Sequence, residues 1–397
     1  MSRTMIETER RGFLKSAGAG LLILKPETVF GSQANSAIEL GVIGCGGRGL
    51  WIGGLFQEHV GARVVALADP FPDRVDATRL QLNIPGARTY GALDGYQELL
   101  ASRVDAVAIE SPPYYHPAQA AAAVAARKHV YLAKPVAVDV AGCNSILSTG
   151  AEARDHVSFL VDFQTRAQPV FQECVARMRR GDIGQPVLGH VYYQTGRIAY
   201  KETAGMNPAR ARLRNWLFDK TLSGDIIVEQ NIHVLDAACW YLQSHPLRAA
   251  GTGGRKIRVE LGDCWDHFVV TYWFPRDVLV DFSSTQCVAG YDDICIRLYG
   301  SEGTADTHYG GAVRITGKNI WTGAEKDRTG SEGPVVNIKR FVDSIRTGQL
   351  LNNVAESVQS NLTSVLGRMA AYRGTTVTWD EMLHSNERLD AHLDSLN

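Results

Sequence analysis

This 397-residue sequence has no run of about 20 apolar residues, no paired cysteine motif and no surplus of one charge. The first lack excludes a helix long enough to cross about 30 Å of hydrocarbon. The seven cysteines (Cys45, Cys143, Cys174, Cys239, Cys264, Cys287, Cys295) are scattered, odd in number and without a C-x-x-C pair, so neither a disulfide framework nor a thiolate zinc site is indicated. Lys plus Arg number 41 against 42 Asp plus Glu, a formal charge of -1, which leaves no global field to hold nucleic acid or an acidic membrane. Internal repeats are also missing. What remains, 45% hydrophobic and 21% charged residues, is the composition of a globular chain. At roughly 150 residues per domain its length suggests two or three cores.

Residues 1–37 do not read as part of a domain. Arg10-Arg11-Gly12-Phe13-Leu14-Lys15 precedes the apolar stretch 17–24 and the small-x-small site Ser32-Gln33-Ala34. The segment resembles a twin-arginine export signal, with Glu9 standing where Ser or Thr is usual. That resemblance implies passage through the twin-arginine translocase and a periplasmic location. A basic terminus on a cytoplasmic protein is the alternative.

Residues 39–49 run from an apolar strand into a glycine turn with Gly44, Gly46 and Gly49 in G-x-G-x-x-G register. Gly44 permits the tight turn, Gly46 lets the backbone approach a pyrophosphate, and Gly49 allows close packing of helix on strand. The helix expected from Gly47 to His59 directs its positive end at the phosphates. A second strand, residues 64–68, ends in Asp69, placed to accept the ribose hydroxyls of NAD and repel the 2′-phosphate of NADP. Arg74 leaves NADP as the lesser possibility. Residues 104–109 form a buried parallel strand stopped by Ser111-Pro112-Pro113, and His116-Pro117 opens an alanine-rich helix. The strand 129–132 ends in Ala133-Lys134-Pro135, which aims Lys134 into the crevice of a doubly wound sheet.

The order of Gly44-Cys45-Gly46-Gly47-Arg48-Gly49, Ser111-Pro112-Pro113-Tyr114-Tyr115-His116, Ala133-Lys134-Pro135, Glu229-Gln230-Asn231-Ile232-His233 and Thr376-Val377-Thr378-Trp379-Asp380 resembles the glucose–fructose oxidoreductase, inositol dehydrogenase and MocA family. The family's Glu-Lys-Pro keeps here its lysine and proline but not its glutamate, and its Asp-x-x-x-His appears as Glu229-x-x-x-His233. On one helix that spacing sets Glu229 and His233 on a common face. The resemblance implies an N-terminal Rossmann domain (38–156) and a C-terminal α+β domain (157–397) with a large open, mostly antiparallel sheet, whose outer face makes a homodimer or homotetramer. The runs 268–273, 278–282 and 294–298 read as adjacent antiparallel strands, and 335–373 as two helices separated at 348–353.

The family also implies the site. Gly44, Gly46, Gly47, Arg48, Gly49, Asp69, Ser111, Pro112, His116 and Lys134 would meet a tightly bound NAD. Lys134, His233 and Glu229 would carry the chemistry. Neutral imidazole suits His233 as the base for a sugar hydroxyl, with Lys134 polarising the incipient carbonyl. Arg166, Tyr114 and Trp216, with Arg197 and Arg214, are candidates for contact with a carbohydrate substrate; for Arg166 a salt bridge between domains is the other reading. Glu229, His233 and Asp236 lack a second histidine cluster, so no metal is expected. The implied activity is hydride transfer from a hydroxyl of a sugar, glycoside or cyclitol. Two alternatives stand: a redox-neutral NAD-dependent glycoside hydrolase working through a transient 3-ketone, and a non-catalytic dinucleotide or sugar binder.

Overall fold

The computed structural model describes residues 37–323 and 331–393. The expected export signal, with Arg10-Arg11, lies outside the described residues. Among those described, six strands form a parallel sheet in the order β3-β2-β1-β4-β5-β6. They are β1 (Glu39–Ile43), β2 (Arg63–Ala68), β3 (Arg88–Tyr90), β4 (Ala106–Ile109), β5 (His129–Ala133) and β6 (Phe159–Asp162). Every residue of β4 is buried, as expected of a parallel strand covered by helices on both faces. The order reverses between β1 and β4, and a doubly wound sheet opens its crevice beyond the strand ends at that point. The helix that follows β1 spans Gly47–Val60, one residue past the expected end.

A second sheet has the order β14-β13-β12-β11-β7-β10-β9-β8-β15. Its strands are β7 (Pro186–Gln194), β8 (Arg248–Gly254), β9 (His267–Trp273), β10 (Leu279–Thr285), β11 (Asp293–Gly300), β12 (Gly303–His308), β13 (Val313–Gly317), β14 (Trp321–Thr322) and β15 (Val377–Thr378). The sheet is mostly antiparallel, but one expectation fails. β10 and β11 are not neighbours, because β7 enters between them, parallel to β10 and antiparallel to β11. The alternating pattern of β10 and β11 reports which face is buried and says nothing about which strand lies beside which.

Phe268, Val270 and Tyr272 of β9 turn inward onto Leu362, Val365, Leu366 and Met369 of the helix Val354–Arg373. The preceding helix, Glu332–Thr347, packs on the nucleotide sheet instead. Its Phe341 meets Phe56 and Tyr131 edge to face, with ring centres 6.2 and 5.6 Å apart. Two helices adjacent in sequence therefore serve different sheets, and the break at 348–353 is where the chain changes layers.

Candidate active site

Gly44 has φ +92°, and a Cβ there would lie 2.6 Å from the backbone of Glu110 and Ser111. A Cβ on Gly49 would come within 1.8 Å of the Gly44 carbonyl oxygen. Only glycine fits either place. Gly46 and Gly47 face open space, so a phosphate can reach the start of the helix Gly47–Val60 unobstructed. Asp69 stands at the end of β2, its Oδ2 accepting from the Cys45 N–H at 2.8 Å and its Oδ1 from the Phe71 N–H at 2.9 Å. Burial pushes the Asp69 carboxyl up, and Arg74 and the two amides oppose it. The remaining lone pairs suit two ribose hydroxyls. A crevice runs from Gly44, Gly46, Gly47, Asp69, Ser111 and Pro112 to Ala199, Asn215 and Trp216. The open backbone at Gly46 and Gly47 and the acid at the end of β2 fit a dinucleotide. Trp216 is in the crevice wall, as its assignment to ligand contact requires.

Lys134 reaches across from the end of β5. Its Nζ donates to the main-chain oxygen of Glu229 at 2.5 Å and lies 3.3 Å from Glu229 Oε1. Burial lowers its proton affinity, Glu229 raises it and Arg48 lowers it again. The turn beyond Lys134 is held from the long C-terminal helix: Asn361 accepts from Val136 N–H at 2.9 Å, and Arg368 donates to Val138 O at 2.6 Å. His233 Nδ1 is buried with no hydrogen-bond partner among the described residues. Its ring lies 5.6 Å from that of Tyr309. Burial, then Lys134 and Arg48, hold the imidazole well below its usual value, so it is neutral across the physiological range.

Glu229 and His233 are brought together differently from the expected single helix. The helical turn Ile226–Glu229 ends, Asn231 N–H donates back five residues to Ile226 O at 2.9 Å, and a new helix, Ile232–Leu242, begins. What joins them is Lys134, which contacts Glu229 and exerts its charge on His233. Asn231, between them, is buried with both side-chain amide atoms unpartnered among the described residues, a feature with no signal in the pattern of apolar residues.

Other expected residues are placed in roles of their own. Arg48 turns its guanidinium inward to Glu110 at 2.8 Å and Asp162 at 2.5 Å, because two buried acids at the strand ends attract it more than solvent does. It still lines the crevice. His116 is not exposed to a coenzyme: it is buried, with Nδ1 2.8 Å from Pro135 O and Nε2 2.8 Å from Ser111 O. It sits between the Ser111 turn and the Lys134 turn and, as a neutral imidazole, donates to one of the two carbonyls, while Ser111 Oγ donates to Gln119. Arg166 forms a fork to buried Asp236, with contacts of 2.7 to 3.0 Å, which occupies both and removes Arg166 from substrate contact. Tyr114 Oη accepts from Ala391 N–H at 3.3 Å and belongs to the packing of the C-terminal segment. Arg197 is paired with Glu260 and Arg214 with Asp73. Glu110, Asp162 and Tyr309 are the residues that sequence reasoning missed; the one available signal was an acid directly after the apolar strand 106–109.

Comparison with known proteins agrees with this geometry. Residues 38–161 match the Gfo/Idh/MocA model described as an oxidoreductase family with an NAD-binding Rossmann fold, and residues 171–306 match the C-terminal domain of the same family. The inositol 2-dehydrogenase of Acidothermus cellulolyticus is 28% identical over 68% of this chain and 72% of its own. That of Klebsiella pneumoniae (strain 342) is 25% identical over 79% and 88%. The scyllo-inositol dehydrogenase of Lactobacillus casei, solved with NAD(H) and scyllo-inositol, superposes with a TM-score of 0.68 over 87% of this chain and all of its own, at 16% identity.

Proposed function

The chain belongs to the Gfo/Idh/MocA oxidoreductase family, and on that premise we propose that it oxidises a ring hydroxyl of a cyclitol, sugar or glycoside with NAD as hydride acceptor. The observation that carries this reading is the meeting of Lys134, Glu229 and His233 at the strand ends beside the glycine turn. A nicotinamide ring bound in the crevice supplies the acceptor for hydride. Lys134 donates to the substrate oxygen and favours the developing carbonyl, held in place by Glu229. His233 takes the hydroxyl proton, since burial and two nearby cations keep it unprotonated. The cyclitol substrates named for the relatives support the substrate class.

Retention of the coenzyme is supported by the helix Pro208–Arg214. Arg210 donates to Pro70 O at 2.7 Å, Arg214 forks onto Asp73 at 2.8 and 2.6 Å, and Arg74, Arg210 and Arg214 surround the Phe71 ring at 4.6 to 5.2 Å. This clasp lies at the ribose end of the crevice, which Arg74 and Arg214 line. Export through the twin-arginine route rests on Arg10-Arg11 and the residues after it; an exported enzyme finds no nucleotide pool, which is consistent with a retained coenzyme. Assembly through the outer sheet face rests on exposed Val269 and Leu279. Sedimentation of wild type against Val269→Glu tests assembly, and fractionation of cells carrying Arg10→Lys/Arg11→Lys tests export.

The main experiment extracts nucleotide from the purified, undialysed protein. The protein is then mixed with myo-inositol, glucose and aryl glucosides, with and without NAD. Bound NAD and formation of a ketone support the reading. Aglycone release without net oxidation redirects it to the glycosidase, and a protein that holds no nucleotide and turns over none of the panel overturns it.

A further inference from the structure

Ala133 carries only a methyl group between two acids. The register pairs Ala133 with Asp162 of β6. On the other side Ile109 pairs with Leu132, which brings Glu110 beside Ala133 one residue further along. Paired residues of neighbouring strands point to the same face, so Glu110, Ala133 and Asp162 form a row with a gap in its middle. Arg48 spans that gap, Nε 2.8 Å from Glu110 Oε2 and Nη2 2.5 Å from Asp162 Oδ2, with both acid side chains fully buried. Asp162 has a second donor in Asn337 Nδ2 at 2.8 Å, whereas the carboxylate of Glu110 has Arg48 alone among the described residues.

We infer that Glu110 is a positioning residue: from β4 it seats Arg48 over Ala133, and through the charge of Arg48 it governs the protonation of Lys134. This rests on the reading of Lys134 as the group that acts on the substrate oxygen. Lys134 is faced by Glu229, Arg48, Asp162 and Glu110; His233 by Lys134 and Arg48; Glu110 by Arg48, Asp162, Lys134 and the Tyr131 hydroxyl. Burial pushes Glu110 up to about 7, so above that pH its negative charge offsets Arg48. Without it Asp162 alone offsets the guanidinium, which then weighs more heavily on Lys134, and Lys134 loses its proton at lower pH. A carboxylate placed at 133 would stand in the same row, within reach of the same guanidinium.

The test is competitive acetic anhydride labelling of the full chain across a pH series. The Lys134 peptide is read by mass spectrometry against exposed Lys318 in wild type, Glu110→Gln and the exchange variant Glu110→Gln/Ala133→Glu. The midpoint for Lys134 is expected to fall by about one pH unit in Glu110→Gln and to return to the wild-type value in the exchange variant. An unchanged midpoint in folded Glu110→Gln, or no return in the exchange variant, overturns the inference. Should Glu110→Gln not fold, the exchange variant decides alone: a folded protein with the wild-type midpoint supports it, and failure to fold overturns it. Labelling needs no turnover, so inactivity of the wild type on every polyol counts against the proposed reaction and leaves this answer standing.

Discussion

Lys134 Nζ lies 2.5 Å from the main-chain oxygen of Glu229 and 3.3 Å from its carboxylate, so one residue holds the lysine through two different groups. The backbone contact persists whatever side chain stands at 229, and the two contacts predict different mutants. Lys134→Met removes the donor to the substrate oxygen and should lower kcat by about 10³-fold, within the range of general acid–base contributions. Glu229→Gln should cost less, about tenfold, since the carbonyl still orients Nζ. Steady-state rates with saturating NAD check both; equal losses would show that the backbone contact contributes little.

His116 makes stability depend on pH. Burial holds its proton affinity down to about 4 from 6.5. A depressed imidazole means that the unfolded chain binds the proton first, so stability is complete above about 6.5 and falls as pH drops toward 4. The loss from this residue is roughly 3 kcal/mol by pH 4. His233, also depressed, adds to the same slope. Urea denaturation at a series of pH values should give a steep decline over this window, shallower in His116→Gln even though that variant is less stable at pH 7.

Asp69 and Arg214 act on the coenzyme in different ways. Asp69→Ala removes the acceptor for the ribose hydroxyls and should weaken equilibrium NAD binding about tenfold or more, equivalent to about 1.4 kcal/mol. Asp69→Ser should in addition raise the relative affinity for NADP, because the carboxylate that repels a 2′-phosphate is gone while Arg74 remains. Arg214→Ala breaks the fork onto Asp73 and should speed NAD release more than it slows capture. Stopped-flow displacement of bound NADH separates the two; identical release rates in wild type and Arg214→Ala would remove the clasp from the account.

Gly49→Ala tests the turn itself. Its Cβ would sit 1.8 Å from Gly44 O, a contact that only backbone movement relieves. The variant should lose bound nucleotide and melt at lower temperature, whereas Gly47→Ala, which meets nothing within 4 Å, should melt as wild type does. Calorimetry with nucleotide extraction reads both quantities at once.

Much of this arrangement was legible because it is local. The turn glycines, the acid at the end of β2, and Lys134 at the end of β5 follow from strand-to-turn spacing, since a parallel sheet places its strand ends along one edge. The break between Glu229 and His233 was not legible. Four-residue spacing is the same whether a helix runs through or widens at Asn231, and the hydrogen bond from Asn231 to Ile226 decides between them. Arg166 and Tyr114 show the same limit, since each side chain is taken by a partner 70 or more residues away.

By itself the sequence determined the doubly wound sheet, its nucleotide end and the positions of Lys134, Glu229 and His233. Each of these depends on periodicity and on backbone freedoms that individual residue types do or do not possess. Tertiary structure alone decided the partners of Arg48, the commitment of His116 and the place of β7 between β10 and β11. Those outcomes depend on which buried charge lies nearest and which strand edge is free, and both are set only when distant segments have packed.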